Sequence, residues 1–433
     1  MQIFLDWSKS KIIMSTPKHH TDFSELRGFL LEQFSPVKDP RVQGRCSHSL
    51  IDVLVLCFCG VLSGCKSFID IAWFGVSRFN WLTNFLEFKN GIPSHDTLER
   101  VLGLIEPKVL EKVLRQWAQK LNGNSCERVL LDGKALKGND KSFNDGTRPL
   151  HVVNVFDFDS KIVLAQAKSP GSGMSELEAA IECVESLRLK GALVSADAGL
   201  CNERLRGAIL SKKADYLVPI KKNQPTLFDI FSIHSEAFRV EAGADHAQSQ
   251  DNNIHGRNEF RECFVVNPKT EMMEVVGGFF EDIKTVLKIV RIREEKDRRY
   301  YLRKTESDGK QSYFRNANKG QMVSSREEVF YISSRVLTAA QGLKHVRDHW
   351  SIENDLHWSL DVNFGEDNSM IKNKTVAANL AVLRKMAFNL ETLVPPPLPK
   401  ELEGKKVSRR SRRFLATLDT SYLEAMLIRF AQP

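Results

Sequence analysis

The sequence predicts an α/β protein in which a helical N-terminal domain precedes a mixed β-sheet with helices on its faces. Two observations carry this prediction. Apolar residues recur with the 3.6-residue period of helices between residues 22 and 122. From residue 126 the chain changes to short apolar runs separated by turns, and beyond residue 190 such runs alternate with amphipathic segments. This alternation is typical of strands whose sheet is covered by helices.

The composition describes a globular chain whose charge favours a polyanionic partner. The chain has 433 residues, of which 42% are hydrophobic and 27% charged, with a formal net charge of +8. Its eight cysteines lack the spacing of zinc fingers or knuckles, which favours buried free thiols in a reducing cytosol. The N-terminus lacks a secretory signal pattern, and the apolar run 50–65 is short for a bilayer and contains Asp52. We therefore expect a cytoplasmic protein without a membrane partner.

Five helices are predicted in the N-terminal domain, residues 23–122. The fourth begins with a good cap at Ser94, because Asp96, Thr97 and Glu99 follow it in the first turns. Residues 1–22 are predicted to be a disordered leader. The five helices are expected at residues 23–34, 50–65, 67–86, 94–105 and 107–121.

The first part of the core, residues 123–235, predicts the element order β-β-β-α-β-α-β. Residues 126–136 indicate an apolar strand broken at Asp132-Gly133, and a hairpin follows around Asp159-Ser160. Three antiparallel strands followed by βαβ units are the strand order of the ribonuclease-H-like fold. The later strands are expected at 150–158, 161–167, 191–199 and 215–221, and the helices at 175–189 and 202–212.

The rest of the chain predicts an insertion and a return to the sheet. Residues 236–326 alternate polar and apolar residues between turns, which indicates a β-rich insertion. Residues 327–395 resume the core with a strand and two long helices. Residues 396–433 include the basic run "KKVSRRSRR" (405–413), predicted to be a solvated tail or an arm that contacts phosphates. The strand is expected at 327–334, the helices at 339–360 and 373–393, and a linker at 394–406.

Three carboxylates can converge in this arrangement. Asp132 lies in an apolar strand, Asp197 ends another strand, and Glu353 lies on the long helix that follows the insertion. The first and fourth strands of the expected sheet are neighbours, so both aspartates can emerge at one edge, against which the helix can pack. Three such carboxylates repel one another unless cations lie among them. Two divalent ions, Mg²⁺ or Mn²⁺ because the ligands are oxygens, would support in-line phosphoryl transfer.

Each aspartate also has a purely structural interpretation. The sequence "DGK" after a strand is often only a turn, and "ADAG" can be a turn in which Asp197 caps a helix. For Asp157 and Asp159, which belong to the expected hairpin, the turn interpretation is preferred.

The stretch "HWSIENDLHWSLDV" (349–362) concentrates polar residues on one helix. Residues four apart share a helical face, so His349, Glu353, His357 and Asp361 form one polar stripe. One interpretation is a catalytic Glu353 flanked by histidines that orient it or contact DNA. A second is a zinc site that uses the two histidines, although its spacing is not that of known zinc helices. A third is a capped, solvated face.

Apolar residues on the same helix predict how it is seated. Ile352, Leu356 and Leu360 form a second stripe, expected to face the core. Trp350 and Trp358 lie off the polar stripe and are expected to pack the helix onto the sheet.

Several blocks resemble those of the H-repeat-associated, ISAs1-type transposases, which are DDE transposases of bacterial insertion sequences. The blocks are "VLLDGKALKG", "VSADAGLCNE", "DYLVPIKKNQ", "HGRNEFR" and "HWSIENDLHWSLDVNFGEDNSMIKN". The resemblance covers residues 23–430 and implies a ribonuclease-H-like core with a β-rich insertion. It also implies a catalytic and metal-binding triad of Asp132, Asp197 and Glu353.

One departure from the wider IS4-like group concerns the residues around the glutamate. That group carries a Tyr-x2-Arg-x3-Glu-x6-Lys signature, whose other positions are occupied here by Val346, His349 and Leu360. Contacts to transposon ends must then come from other residues. The candidates for this role are Arg347, His357, Lys372 and Lys374.

Together these features predict a transposase that cuts and joins DNA ends with two Mg²⁺ or Mn²⁺ ions. The expected partners are the terminal inverted repeats and target DNA, with a homodimer assembling on the DNA in the bacterial nucleoid. The alternatives are a zinc hydrolase built on His349, Glu353 and His357, and a DNA-binding relic without activity. The predicted DNA-contacting residues are Lys221, Lys222, Asn223, Arg257, Arg261, Arg347, His349, His357 and Lys372. Lys221 and Lys222 have a solvated loop as their alternative, and Arg257 and Arg261 have ion pairs with Glu259.

Overall fold

The computed structural model divides into two compact units. The first unit contains Met1–Lys190 and Ser351–Pro433, and the second contains Gly191–Trp350. The domain boundaries predicted from sequence differ from this division and remain predictions, and most of the expected leader lies outside the described residues. The structure describes residues 22–42, 44–123, 126–136, 149–169, 174–222, 224–254, 256–267, 269–296, 301–305, 311–315, 319–398 and 404–433.

The first unit begins with helices, as the apolar periodicity predicts. Side-chain caps start several of them: Asp22 accepts from the backbone of Ser24, and Ser94 accepts from Thr97 as expected. The expected helix 67–86 is divided, because Arg78 adopts a non-helical backbone with φ −110° between two shorter helices. The helices are α1 (Phe23–Gln33), α2 (Leu50–Leu62), α3 (Phe68–Ser77), α4 (Phe79–Leu82), α5 (His95–Gly103) and α6 (Pro107–Leu121).

Three antiparallel strands and a helix follow. Strand β2 lies between β1 and β3, and the turn between β2 and β3 confirms the predicted hairpin. The expected break in β1 is wrong: pairing with β2 continues through Asp132, opposite Asn154, and Gly133, opposite Val153. The ladder of hydrogen bonds keeps this segment extended despite its turn-like sequence. The elements are β1 (Arg128–Leu136), β2 (Leu150–Asp157), β3 (Ile162–Ser169) and α7 (Met174–Ser186).

The second unit contains a mixed sheet in the order β4-β5-β11-β8-β7-β6. Strands β4 and β5 are parallel and joined through α8, as predicted, and the other neighbours are antiparallel. The expected insertion 236–326 is rich in strands, as predicted. Its main strands, however, extend the same sheet, which they join through β11. The predicted boundary at residue 326 falls within β11. The elements are β4 (Leu193–Ala196), α8 (Glu203–Ser211), β5 (Asp215–Ile220), α9 (Pro225–Ile233), β6 (Asp245–Ile254), β7 (Arg257–Val265), α10 (Glu271–Phe279), β8 (Thr285–Lys296), β9 (Tyr301–Thr305), β10 (Gln311–Arg315), β11 (Met322–Ser333) and α11 (Ala339–His349).

The long helix expected at 339–360 is interrupted. Helix α11 ends at His349, a π-helix occupies Ile352–His357, and α12 continues from Trp358 to Val362. The backbone N–H of Trp358 donates to Glu353, the five-residue step of a π-helix. The core-facing stripe of Ile352, Leu356 and Leu360 is confirmed, since all three are buried.

The expected packing of the two tryptophans is wrong. Trp350 is 52% exposed and Trp358 is 57% exposed. The prediction assumed one uninterrupted α-helix, whereas the turn at Trp350 and the wider π-helical turn change the direction of both side chains.

The C-terminal segment is folded, so the predicted solvated tail is wrong for its two helices. The chain forms α13 (Lys374–Leu393), α14 (Arg409–Leu418) and α15 (Thr420–Ala431). Helix α13 is almost entirely buried in the first unit, and Arg409 donates to its Phe388 carbonyl at 3.1 Å. Arg413 donates to the Val61 carbonyl at 2.8 Å. These arginines are used inside the fold because backbone carbonyls and the buried Glu391 offer them acceptors.

Within the parts of the chain that the structure describes, no helix is both long and apolar enough to cross a membrane.

Candidate active site

Two acidic residues and one histidine meet where β1 passes the π-helix. Asp132 on β1 and Glu353 and His357 on the π-helix each place a potential ligand atom within 4.8 Å of the others. We call these three residues the acidic cluster. In the described ranges, it is the only group of three or more His, Cys, Asp or Glu side chains this close together. Two of the four residues of the predicted polar stripe, Glu353 and His357, therefore belong to the acidic cluster.

Local structure explains how the acidic cluster forms. Asp132 projects from a continuous strand, and its Oδ1 accepts from the Gly133 N–H at 2.9 Å, which fixes the carboxylate. The apolar residues Ile352 and Leu356 anchor the π-helix in the core of the first unit. His357 is 3% exposed, whereas the side chain of Glu353 is 59% exposed. The acidic cluster thus extends from the interior to the solvent.

His357 links the members of the acidic cluster. Its Nδ1 lies 2.8 Å from Glu353 Oε2 and 3.6 Å from Asp132 Oδ2. Its other ring nitrogen, Nε2, lies 3.1 Å from the Nδ2 of Asn154, the residue opposite Asp132 on β2. Sequence analysis missed Asn154 because a single asparagine in an apolar strand carries no motif.

The donor chemistry of the acidic cluster fits a divalent cation. Carboxylate oxygens are the ligands preferred by Mg²⁺ and Mn²⁺, and an imidazole is compatible with Mn²⁺ or Zn²⁺. The zinc hydrolase alternative requires His349 as a ligand as well. His349, the last residue of α11, is absent from the acidic cluster. Its Nδ1 lies 2.9 Å from Ser195 Oγ.

A second group of charges adjoins the first on the same strand. Lys134, two residues beyond Asp132, donates to Asp361 and lies 3.2 Å from Glu366 Oε2. Glu366 Oε1 lies 3.9 Å from Lys385 Nζ on α13. We call these four residues the ion-pair cluster. Lys134 also donates to the backbone carbonyl of His357 at 3.4 Å, so it ties the π-helix to β1.

Burial and charge shift the pKa values in the ion-pair cluster. Burial alone would raise the pKa of Glu366, but Lys385 and Lys134 outweigh it and lower the pKa to about 2. Burial lowers the pKa of Lys385 to about 8, although Glu366 opposes the change. For Lys134 burial acts downward, yet Glu366 and Asp361 prevail and raise its pKa. At neutral pH Glu366, Lys385 and Lys134 are therefore all charged.

Gly133 lies close to the side chain of Glu176 on α7. A Cβ atom at this position would lie 1.5 Å from Glu176 Oε1, so a larger residue here would require the Glu176 side chain to move. Asp132 and Gly133 both pair with β2, so the turn interpretation of Asp132 is wrong.

The third predicted acidic residue lies in the second unit. Asp197 directly follows β4, is exposed, and precedes a short 3₁₀-helix as its N-terminal cap residue. The contact between Ser195 and His349 joins β4 to the end of α11 beside it. The meeting of Asp197 with Asp132 and Glu353 remains a prediction.

The predicted DNA-contacting lysines lie on the surface. Lys221 and Lys222 are exposed after β5, and Lys372 is exposed before α13. Asn223 lies outside the described residues.

The predicted arginines belong to an ion-pair network on one face of the β6–β8 sheet. Arg261 contacts Glu259 at 2.8 Å and Asp251 at 2.6 Å, and Arg257 lies 3.8 Å from Glu259. Arg347 reaches Asp251 at 2.9 Å. The ion-pair alternative for Arg257 and Arg261 is thus observed. Two arginines that sequence analysis missed, Arg291 and Arg293, lie 3.7 and 3.8 Å from Glu259. We call these five arginines the arginine face.

The fold and the acidic cluster define a mixed α/β protein with a site suited to divalent cations. Comparison with known protein families identifies the family to which the chain belongs. The family model described as "Transposase DDE domain" matches residues 126–390, and "DDE_Tnp_1-associated" matches residues 31–118. The chain belongs to the DDE transposase family, and its function is that of an insertion-sequence transposase. The predicted family is confirmed, and so is the predicted function as an insertion-sequence transposase.

Named relatives agree with this assignment. "Putative transposase YncI" of Escherichia coli O157:H7 is 31% identical over 404 residues, covering 92% of this chain and 94% of the relative. "H repeat-associated putative transposase YhhI" of Escherichia coli K12 is 28% identical, covering 92% and 97%. A solved piggyBac transposase synaptic complex with hairpin DNA aligns with a TM-score of 0.38 at 10% identity, covering 98% of this chain and 81% of the other.

Proposed function

We propose that this transposase cuts the ends of its insertion sequence and joins them to target DNA, using Asp132, Asp197 and Glu353 as its catalytic and metal-binding residues. The observation that carries the proposal is the acidic cluster inside the segment that matches the DDE domain. Bound there, two divalent cations would activate the attacking oxygen and stabilise the leaving oxygen of a phosphodiester. Asp197 would complete the ligand set.

The oxygen-rich ligand set favours Mg²⁺ or Mn²⁺. Two of the three side chains in the acidic cluster are carboxylates, and Asp197 would add a third. His357 then serves to orient Glu353 through the 2.8 Å contact between Nδ1 and Oε2. The exposed Glu353 is accessible to a DNA backbone, while the buried His357 is held away from solvent. These roles assign one function to each side chain of the acidic cluster.

The proposed fold is ribonuclease-H-like. Its support is the element order in the chain: three antiparallel strands, a helix, and the parallel pair β4 and β5 joined through α8. A metal site built from Asp132 within β1, Asp197 directly after β4 and Glu353 on the π-helix would agree with the family's DDE domain.

The arginine face is the proposed surface for double-stranded DNA, together with Lys221, Lys222 and Lys372. Its five arginines outnumber the three carboxylates with which they form ion pairs, those of Glu259, Asp251 and Glu327. Trp350 is half exposed with Arg291 5.7 Å above its ring, a combination suited to a nucleotide base. His349 would lie beside the DNA backbone. We further propose a homodimer assembled on the terminal inverted repeats in the bacterial nucleoid.

A cleavage assay on the ends of the element tests the acidic residues. Asp132→Asn, Asp197→Asn and Glu353→Gln should each lower the cleavage rate by roughly 10³-fold or more, since each removes an expected metal ligand. Asp355→Asn is the matched control, because Asp355 is an exposed carboxylate of the same π-helix that pairs with Lys161 at 3.0 Å. Near-normal cleavage by the Asp197 variant would remove it from the site.

The same assay separates the alternatives. Activity that requires Zn²⁺ and is lost in His349→Ala would favour the zinc hydrolase. Specific DNA binding without cleavage in Mg²⁺ or Mn²⁺ would favour a relic.

DNA affinity tests the arginine face. Affinity should fall by orders of magnitude between roughly 50 and 200 mM salt. Arg257→Gln with Arg293→Gln should weaken binding to all sequences, whereas Arg326→Gln should not, because its strand partner Ile292 places it on the opposite face from Arg291. Equal losses from both changes would contradict the assignment.

A further inference from the structure

The side chain of Asn154 is completely buried beside the acidic cluster. Its Nδ2 lies 3.1 Å from His357 Nε2, and its buried Oδ1 has no hydrogen-bond partner among the residues that the structure describes. An amide has two donors on nitrogen and only acceptors on oxygen. The orientation of this one amide therefore determines whether His357 Nε2 receives a hydrogen bond or donates one.

The geometry around the imidazole is consistent with one tautomer. Nδ1 lies 2.8 Å from a carboxylate oxygen of Glu353, a distance at which Nδ1 must carry hydrogen, because two lone pairs would repel. A neutral ring then has no hydrogen on Nε2, which needs a donor. Asn154 Nδ2 provides that donor. Both contacts thus require the same form of the ring.

We propose that Asn154 is a positioning residue that selects the Nδ1–H tautomer of His357 and so determines which metals the acidic cluster prefers. This inference rests on the proposed metal-binding function of Asp132 and Glu353. A ring nitrogen that carries hydrogen cannot be a metal ligand. His357 is thereby reserved as a donor to Glu353, and the ligand set next to it stays rich in oxygen.

The opposite orientation of the amide would reverse the outcome. With Oδ1 facing the ring, Nε2 would carry the hydrogen and Nδ1 would present a lone pair to the space between Asp132 and Glu353. The ring would lose one hydrogen at Nδ1 and gain one at Nε2, with no change in charge. Imidazole ligation favours Zn²⁺ over Mg²⁺ and Mn²⁺. Asn154 thus acts on metal choice without touching the metal.

The tautomer can be observed directly in the unmodified full-length chain. NMR of protein labelled with ¹⁵N-histidine distinguishes a ring nitrogen that carries hydrogen from one that does not, and a His357→Gln difference spectrum assigns the signals. We expect hydrogen on Nδ1 and none on Nε2 in metal-free protein. Hydrogen on Nε2, or on both nitrogens, overturns the proposal.

Metal titration provides the second test. Asn154→Asp keeps the shape of the side chain but can only accept from Nε2, so it should free Nδ1 as a ligand. Calorimetric affinities for Zn²⁺ and Mn²⁺ should show the ratio shifted towards Zn²⁺ by about tenfold or more. The double variant with His357→Leu is the control and should lose this shift, since added negative charge alone affects both cations.

The two tests distinguish failure of this inference from failure of the proposed function. An unchanged ratio in Asn154→Asp overturns the inference, as does a shift that persists in the double variant. Mn²⁺ binding that is absent from the wild type, or unaffected by Asp132→Asn, overturns the proposed metal site instead. If Asn154→Asp does not fold, the NMR result on the wild type decides.

Discussion

The acidic cluster and the ion-pair cluster begin two residues apart on the same strand but handle charge in different ways. The acidic cluster brings together two carboxylates and an imidazole and opens to solvent through Glu353. The ion-pair cluster combines two carboxylates with two lysines and is mostly buried, with Glu366 only 1% exposed and Lys385 fully buried. The ion-pair cluster contains its own cations, the two lysines, whereas the donor atoms of the acidic cluster fit an added divalent cation.

The difference follows from the cost of burying charge. A buried carboxylate is tolerated when cations lie within a few ångströms, and removal of one partner leaves an uncompensated charge in the interior. Glu366 satisfies this condition through Lys134 and Lys385. A carboxylate at the surface can instead exchange water for a metal ion or for substrate. Substitutions in the ion-pair cluster are therefore expected to affect mainly stability, and substitutions in the acidic cluster mainly function.

The largest effect on stability is expected from Glu366→Gln. This change leaves Lys134 and Lys385 without their shared carboxylate, and breaking a buried ion pair costs about 3–5 kcal/mol. Urea unfolding of the variant and the wild type at neutral pH measures the difference. A loss below about 1 kcal/mol would falsify the view that the ion-pair cluster holds the π-helix region in place.

The pH dependence of stability is the second prediction. The folded pKa of Glu366 is about 2 against an ordinary value of 4.5. Its contribution is therefore fully present above pH 4.5 and is lost as the pH falls towards 2. The stability difference between wild type and Glu366→Gln should shrink by up to about 3 kcal/mol over this window. Unfolding curves at several values of pH test this, and a constant difference contradicts it.

A divalent cation should stabilise the protein through the acidic cluster. At 100 times its dissociation constant, Mn²⁺ should add about 2.7 kcal/mol, because it binds only the folded state. Thermal unfolding with and without Mn²⁺ measures the shift. Asp132→Asn should abolish it, whereas a conservative change in the exposed pair of Arg239 and Glu236 should not. Equal shifts in both variants would place the metal elsewhere.

The smallest effect on stability is expected from Glu353→Gln. Its exposed side chain should change the unfolding free energy by no more than about 0.5 kcal/mol. The same substitution is expected to stop DNA cleavage. Glu353→Gln and Glu366→Gln form a matched pair, because the same substitution is made once in each cluster. A large loss of stability here would show that the comparison between the clusters is wrong.

Apolar patterning predicted much of the first unit. The helices α1, α2, α5, α6 and α13 and the hairpin of β2 and β3 lie close to their expected positions. Buried faces impose a regular period on the sequence, so these elements are visible locally. The C-terminal helices were missed because their arginines resemble a solvated run until their acceptors, such as the Phe388 carbonyl, are known.

The sequence by itself determined the mixed α/β class, the family, and the presence of Asp132 and Glu353 in segments that can meet. It also determined the core-facing stripe of Ile352 and Leu356. Each of these depends on residue type and spacing over a few turns, or on long specific motifs.

Only the tertiary structure decided how the polar groups pair. Asn154 and His357 are 203 positions apart, and Lys134 and Asp361 are 227 positions apart. The π-helix and the exposure of Trp358 likewise depend on how this segment packs. Periodicity marks which face of an element is buried, because burial acts on every apolar side chain alike. Hydrogen bonds and ion pairs are specific to single partners, and nothing in the local sequence identifies a partner that folding brings from the other end of the chain.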